Sequence, residues 1–233
     1  MATREPDRPL QRWMIARGRS ASLPLSYTTT RDTTIEMKKF WSWAFSAALC
    51  IAVIPTAAQA GWKLIPAHAP AKIGPMTVMP GTDWNQASAR PGKQGVTWTH
   101  DGFELNQFDL FSAVPSGQTV YADKDKKRNP MPRFEGTMLL IESGDFFERV
   151  FRARSQAVEF VRVSEVPSKL SGHAALEMRY GYVTPDSPLR RQGFARLTVV
   201  DGRLYVLNYT GPSLHYFEDG LQEVVAVMDS AKF

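Results

Sequence analysis

Whatever acid–base or metal chemistry this chain has to offer rests first on four histidines, His68, His100, His173 and His215. They stand far apart, with no His-x-His, no His-Glu-x-x-His and no other ligand-spaced pair, and zinc sites are built from such spacings. The local cluster is His215 with Glu218 and Asp219, which a helix start brings to one side at i, i+3 and i+4. A metal could take that trio. The simpler reading has the two acids complementing the helix dipole while His215 is a surface or capping residue. Two pairs could serve a hydrolase, His100 with Asp101 and His215 with Asp219, each a base beside an acid partner. No Gly-x-Ser-x-Gly or Ser-x-x-Lys accompanies them, and neither phosphate-cradling glycine motif occurs. Asp123-Lys124-Asp125 opens like a calcium loop, but Lys127, Arg128 and Phe134 then stand where an oxygen ligand, Gly and Glu are needed. No catalytic residue, metal or cofactor is expected.

The aromatic residues suggest binding instead. Trp84 and Asn85 follow a Pro-Gly pair, Trp98 precedes the turn at Asp101, and Tyr216 follows His215 at the start of the last helix. Tryptophan beside Asn and Asp near loops suits a recognition surface, so Trp84, Asn85, Trp98, Asp101, His215 and Tyr216 form the candidate binding set. Trp84 and Trp98 answer equally to core plugs whose indole N–H finds a partner. Lys124, Lys126, Lys127, Arg128 and Arg133 make a basic loop, read as solvated rather than as an anion or lipid-headgroup contact.

These residues need a compartment and a scaffold. Lys38 and Lys39 precede an apolar run from Phe40 to Ile54, Pro55 breaks it, and Ala58-Gln59-Ala60 supplies small residues for a peptidase. Residues 37–60 therefore read as a signal peptide cleaved between Ala60 and Gly61, with the protein in the periplasm or secreted. An uncleaved anchor is the alternative, and would be its only membrane contact. Lipid attachment at Cys50 is disfavoured because Ala47 and Leu49 do not make a lipobox. Residues 1–36, rich in Arg, Ser, Thr and Pro, read as a non-native or disordered extension.

The net charge of +5 suggests a nucleic-acid partner until it is located. Residues 1–60 hold 8 of the 28 basic and 4 of the 23 acidic residues, leaving 20 against 19 beyond them. Such a balance makes no field to steer a polyanion, so no nucleic-acid partner is expected. The single cysteine, Cys50, lies in the leader, so residues 61–233 are cysteine-free and must be held by their core.

Residues 61–233 read as one domain. A proline-rich lead-in with a strand at Met76–Met79 is followed by Thr97–Thr99 and Phe103–Leu105 flanking a turn at His100-Asp101-Gly102. Strands are expected at Phe108–Val114 and Gln118–Ala122, and then a mostly helical stretch from Phe134 to Arg154, with Ser143 as an N-cap. Leu176–Tyr182 alternates as a strand. Phe194–Val200, Asp201-Gly202 and Arg203–Tyr209 carry the strongest hairpin signal, pairing Val199 with Leu204 and Leu197 with Val206. Apolar groups on both faces of that hairpin call for cover on both sides. A closing helix from Leu214 to Ser230 presents Phe217, Leu221, Val224, Val225 and Met228. The class is α+β, an antiparallel β-sheet covered by helices.

The block ARLTVVDGRLYVLNYTGP, with YFEDGLQEVVAVMDSAKF after it, resembles the C-terminal half of Mog1/PsbP-like domains. The resemblance implies an α/β/α sandwich ending in strand, tight turn, strand and helix, and a non-catalytic accessory or assembly role. No family site motif is matched, so no site residue carries over. The expectation is an exported accessory or binding protein of the cell envelope whose partner is an envelope protein or a small ligand. The alternatives are a hydrolase using a His/Asp pair and a membrane-anchored structural protein.

Overall fold

The computed structural model describes residues 61–233. The expected signal peptide at residues 37–60, with Cys50 and Ala60, and the expected extension at 1–36 lie outside the described residues. The elements are β1 (Lys63–Ile65), β2 (Ala71–Ile73), β3 (Met76–Val78), β4 (Trp84–Gln86), β5 (Gly95–Thr99) and β6 (Gln107–Pro115). After a long loop come α1 (Glu142–Ser155), β7 (Glu159–Leu170), β8 (His173–Thr184), β9 (Ser187–Val200), β10 (Arg203–Pro212) and α2 (Tyr216–Asp229). Eight strands form an antiparallel sheet in the order β1-β4-β5-β6-β10-β9-β8-β7, and β2 pairs β3 apart from it.

The β9–β10 hairpin turns on Asp201 and Gly202, with φ of 50° and 67°. These two left-handed residues make the turn whose twist suits a hairpin, and Asp-Gly tolerates it. Leu204 then faces Val199 and Val206 faces Leu197, the register expected from the sequence. Strand alternation divides β10 between two cores. Leu204 and Val206 join Phe146, Phe147 and Val150 of α1, while Leu207 and Tyr209 join Phe217, Val224 and Met228 of α2. Full burial of an aromatic such as Phe217 contributes roughly 2–3 kcal/mol, so each helix is held by a few such anchors.

Several local expectations give way. Phe103–Leu105 is not a strand: Trp98 pairs with Phe108, so residues 100–106 form the connection. Phe134 does not begin a helix, because its N–H donates to the Gln118 carbonyl and its carbonyl accepts from Gly117. One of these bonds takes up the Gln118 carbonyl, and 118–122 forms only an isolated bridge between Thr119 and Arg133 instead of a strand. Ser143 is not the cap of α1. The helix begins at Glu142, with Ile141 in the cap position and no side-chain cap, and Ser143 Oγ donates to the Leu140 carbonyl at 2.5 Å.

Candidate functional site

The connection between β5 and β6 is built on Asn106, a buried side chain that, with Thr99, satisfies the turn. Its Oδ1 accepts from the N–H of His100 at 2.8 Å and of Asp101 at 3.3 Å. Its Nδ2 donates to Asp101 Oδ2 at 2.6 Å. Thr99 Oγ1 donates to the Asn106 carbonyl at 2.7 Å and accepts the Gly102 N–H at 2.9 Å. Asn favours turns because its amide substitutes for backbone partners in this way. A consequence is that Asp101 is committed to Asn106 and is not the partner of the His100 ring.

That ring lies on Trp84, with centroids 3.7 Å apart and planes inclined by 36°. His100 Nε2 sits 3.3 Å from Thr82 Oγ1. The Thr82 loop is in turn pinned to α2, where Glu223 Oε1 accepts the N–H groups of Gly81 at 2.7 Å and Thr82 at 3.1 Å. Burial lowers the His100 pKa below its ordinary 6.5, against the opposing pull of the Asp101 and Glu223 carboxylates. At neutral pH the imidazole is therefore uncharged.

A recess of about 310 Å³ opens beside it, lined by Trp62, Asn85, Thr99, His100 and Gly102. Trp62 is 53 % exposed and rests on Phe103 with centroids 5.0 Å apart. Leu64, two residues on, is also exposed. The lining thus offers one large aromatic side chain, Trp62, with Asn85, Thr99 and His100 as its polar residues.

The structure brings only part of the sequence-derived set together. Asn85 lines the recess, and Asp101 holds the turn at its rim. Trp84 and Trp98 are shut in the core at 0 % exposure, so neither offers a face to a ligand; they are plugs under the site. The Trp98 indole donates to Gln86 Oε1 at 3.2 Å, whereas Trp84 Nε1 is buried without a partner. His215 and Tyr216 are not among the lining residues. His215 Nε2 lies 3.0 Å from Asp219 Oδ2 on an open surface, while Glu218 turns to Arg179 at 3.4 Å. The trio that a metal could have taken is thereby split. Trp62, an aromatic near the start of the expected domain, and Phe103 fall outside the sequence-derived set, because an aromatic pair joined across the fold leaves no local pattern; Asn106 carries no motif either.

A second group of polar side chains lies under the sheet. Asp109, buried, accepts from Thr97 Oγ1 at 2.6 Å, Tyr121 at 2.9 Å and Gln107 Nε2 at 2.9 Å. Asn208 Nδ2 donates to the Tyr121 oxygen at 3.4 Å, and the Tyr180 hydroxyl donates to Asn208 Oδ1 at 2.7 Å. Desolvation pushes the Asp109 carboxyl up even though its three donors favour the charged form.

No family model matches the chain, and no curated protein sequence matches it. Among solved structures it is similar to the solution structure of cyanobacterial PsbP from Synechocystis sp. PCC 6803. That likeness has a TM-score of 0.46 at 15 % identity, over 74 % of this chain and 92 % of that one. It is also similar to the crystal structure of LpqN, involved in cell envelope biogenesis of Mycobacterium tuberculosis. There the TM-score is 0.29 at 10 % identity, over 73 % of this chain and 90 % of that one.

Proposed function

We propose that this is an exported accessory protein of the cell envelope that works by binding, with the recess at the β5–β6 turn as its recognition site. Export is supported by the leader pattern at residues 37–60. The observation that carries the binding reading is the half-exposed Trp62, laid on Phe103 beside a recess with Asn85 and a neutral His100 in its lining. A large aromatic at a recess with few polar groups is how proteins anchor a partner's side chain or a small amphipathic ligand. We further infer the helix-covered sandwich, which is supported by the sorting of β10 between the α1 and α2 cores.

The His100–Asp101 pair favours this reading over a hydrolase. His100 is stacked, desolvated and bonded to a threonine, and its neighbouring acid is held by Asn106. Co-purification from the envelope with the full chain as bait, repeated with Trp62→Ala and Phe103→Ala, tests the proposal. A partner retained by the native protein and lost from both variants is expected. Turnover of esterase, phosphatase, peptidase or glycosidase substrates that His100→Ala or His215→Ala abolishes would defeat it.

A further inference from the structure

A cavity of about 500 Å³ lies on another side of the β4–β5 region, between that part of the sheet and the β2–β3 hairpin. Its lining includes Lys63, Lys72, Arg90, Lys93 and Arg203, and no acidic residue. These five cations come from β1, β2, the β4–β5 loop and the start of β10, so the fold alone assembles them. Among the described residues none of the five has a carboxylate within ion-pair distance. Arg152, Arg162, Arg179, Arg190 and Arg196, by contrast, are each paired.

That concentration is not an overflow of general charge, because residues 61–233 hold 20 basic against 19 acidic side chains. Five like charges around one concavity repel one another and raise the local concentration of anions. The walls also carry uncharged polar groups. Gln94 Oε1 is buried with no partner, an acceptor waiting for a donor. Ser112 Oγ accepts the Met76 N–H at 3.2 Å, which leaves its own proton free to donate. The volume falls in the usual range of small-ligand sites, roughly 300–1,000 Å³, and is larger than one inorganic phosphate needs.

We propose that this cavity binds a phosphate ester of at least two negative charges, or the phosphate-bearing headgroup of an anionic lipid, with Lys72 and Arg203 among the residues that hold it. The phosphate oxygens meet the five cations, and a hydroxyl of the ligand donates to Gln94 Oε1. This site is separate from the aromatic recess, and neither depends on the other.

The test uses the full chain at low salt with two probes, inorganic pyrophosphate by calorimetry and vesicles of phosphatidylcholine with about 30 % phosphatidylglycerol by flotation. Saturable binding of either probe is expected, weakened about tenfold or more by the double change Lys72→Glu with Arg203→Glu. The control Lys124→Glu with Lys127→Glu carries the same charge change in the exposed loop and is expected to leave binding within about twofold. Unchanged melting temperatures establish that both variants fold; should the first fail to, Lys72→Gln with Arg203→Gln replaces it. Pyrophosphate binding alone identifies a soluble ester as the ligand, and vesicle binding alone identifies a headgroup. Absence of saturable binding to both probes overturns the proposal, as does equal weakening by the control.

Discussion

The phenol of Tyr121 donates to the carboxylate of Asp109 at 2.9 Å, and both side chains are sealed from solvent. Tyr121 comes from the loop after β6 and Asp109 from the middle of that strand, so the bond fastens the loop to the sheet. Replacing Tyr121 by Phe removes one of three donors and is expected to cost about 1–3 kcal/mol by urea unfolding at pH 7. With fewer donors the carboxyl should titrate still higher, which is readable as a higher pH midpoint in the titration of the Asp109 carboxyl resonance.

Asp109 also sets a pH dependence of known sign. Its folded pKa is raised above the ordinary 3.8, mainly by desolvation, so between those two values the native state binds more protons than the unfolded one. Stability from this group is complete below pH 3.8 and is lost as pH rises through the folded value. Asp109→Asn keeps the shape, can accept from Tyr121 and Gln107, and can donate to Thr97 if that hydroxyl turns. The stability of the native protein relative to Asp109→Asn should therefore fall with pH across that window and then level off. A difference flat from pH 4 to pH 8 refutes the assignment.

His100 acts in the opposite direction. Its pKa is lowered from 6.5 by burial against Trp84, so below that value the unfolded chain takes up a proton more readily. The contribution of His100 is present above pH 6.5 and declines as pH falls through the folded value. His100→Gln should remove this acid-side decline while leaving stability at pH 8 within about 1 kcal/mol, since Gln can still reach Thr82. Urea midpoints at intervals between pH 5 and pH 8 decide it.

Which parts of this were readable from the chain follows from how local each signal is. Asp201-Gly202 places two left-handed residues between alternating strands, so the β9–β10 register is determined within a few residues. The stripe of α2 is local in the same way. Strand β7 was not readable, because it is an edge strand whose Val161, Val163 and Val166 are exposed, with Pro167 among them. Edge strands tolerate proline and need no apolar face. The aromatic wall was hidden for a different reason. Trp62 meets Phe103 only once β1 has joined β4 and β4 has joined β5. Charge counts along the chain likewise missed the five cations of the cleft, which converge only in three dimensions.

Gly193 tests how tightly one core is fitted. A Cβ placed there would lie 2.0 Å from the Tyr180 ring, and that ring is buried and tied to Asn208. Gly193→Ala must displace the ring and strain its hydrogen bond, at an expected cost of about 2–3 kcal/mol. Adding Tyr180→Ala makes the room the methyl group needs, so the pair should be less than additive by more than about 0.5 kcal/mol. Additive losses in that double-mutant cycle would show that the backbone, not Tyr180, absorbs the change.

Arg196 is the sheet's buried cation. It is nearly enclosed, donates to Glu177 Oε2 at 2.9 Å through Nη2, and pairs with Asp229 at the end of α2. Removing a buried partner usually costs about 3–5 kcal/mol because a charge is left stranded. Here Glu177 is about one-quarter exposed and Asp229 about three-fifths exposed, so both can turn to water. Arg196→Met is accordingly expected to cost about 2 kcal/mol, and Asp229→Ala less than about 1 kcal/mol because that carboxylate is solvated. The Arg196→Met loss should persist in 1 M salt, since the guanidinium lies where ions scarcely penetrate. An equally large, salt-sensitive loss in both variants would mean that the bridge to α2, rather than burial beside Glu177, is what Arg196 contributes.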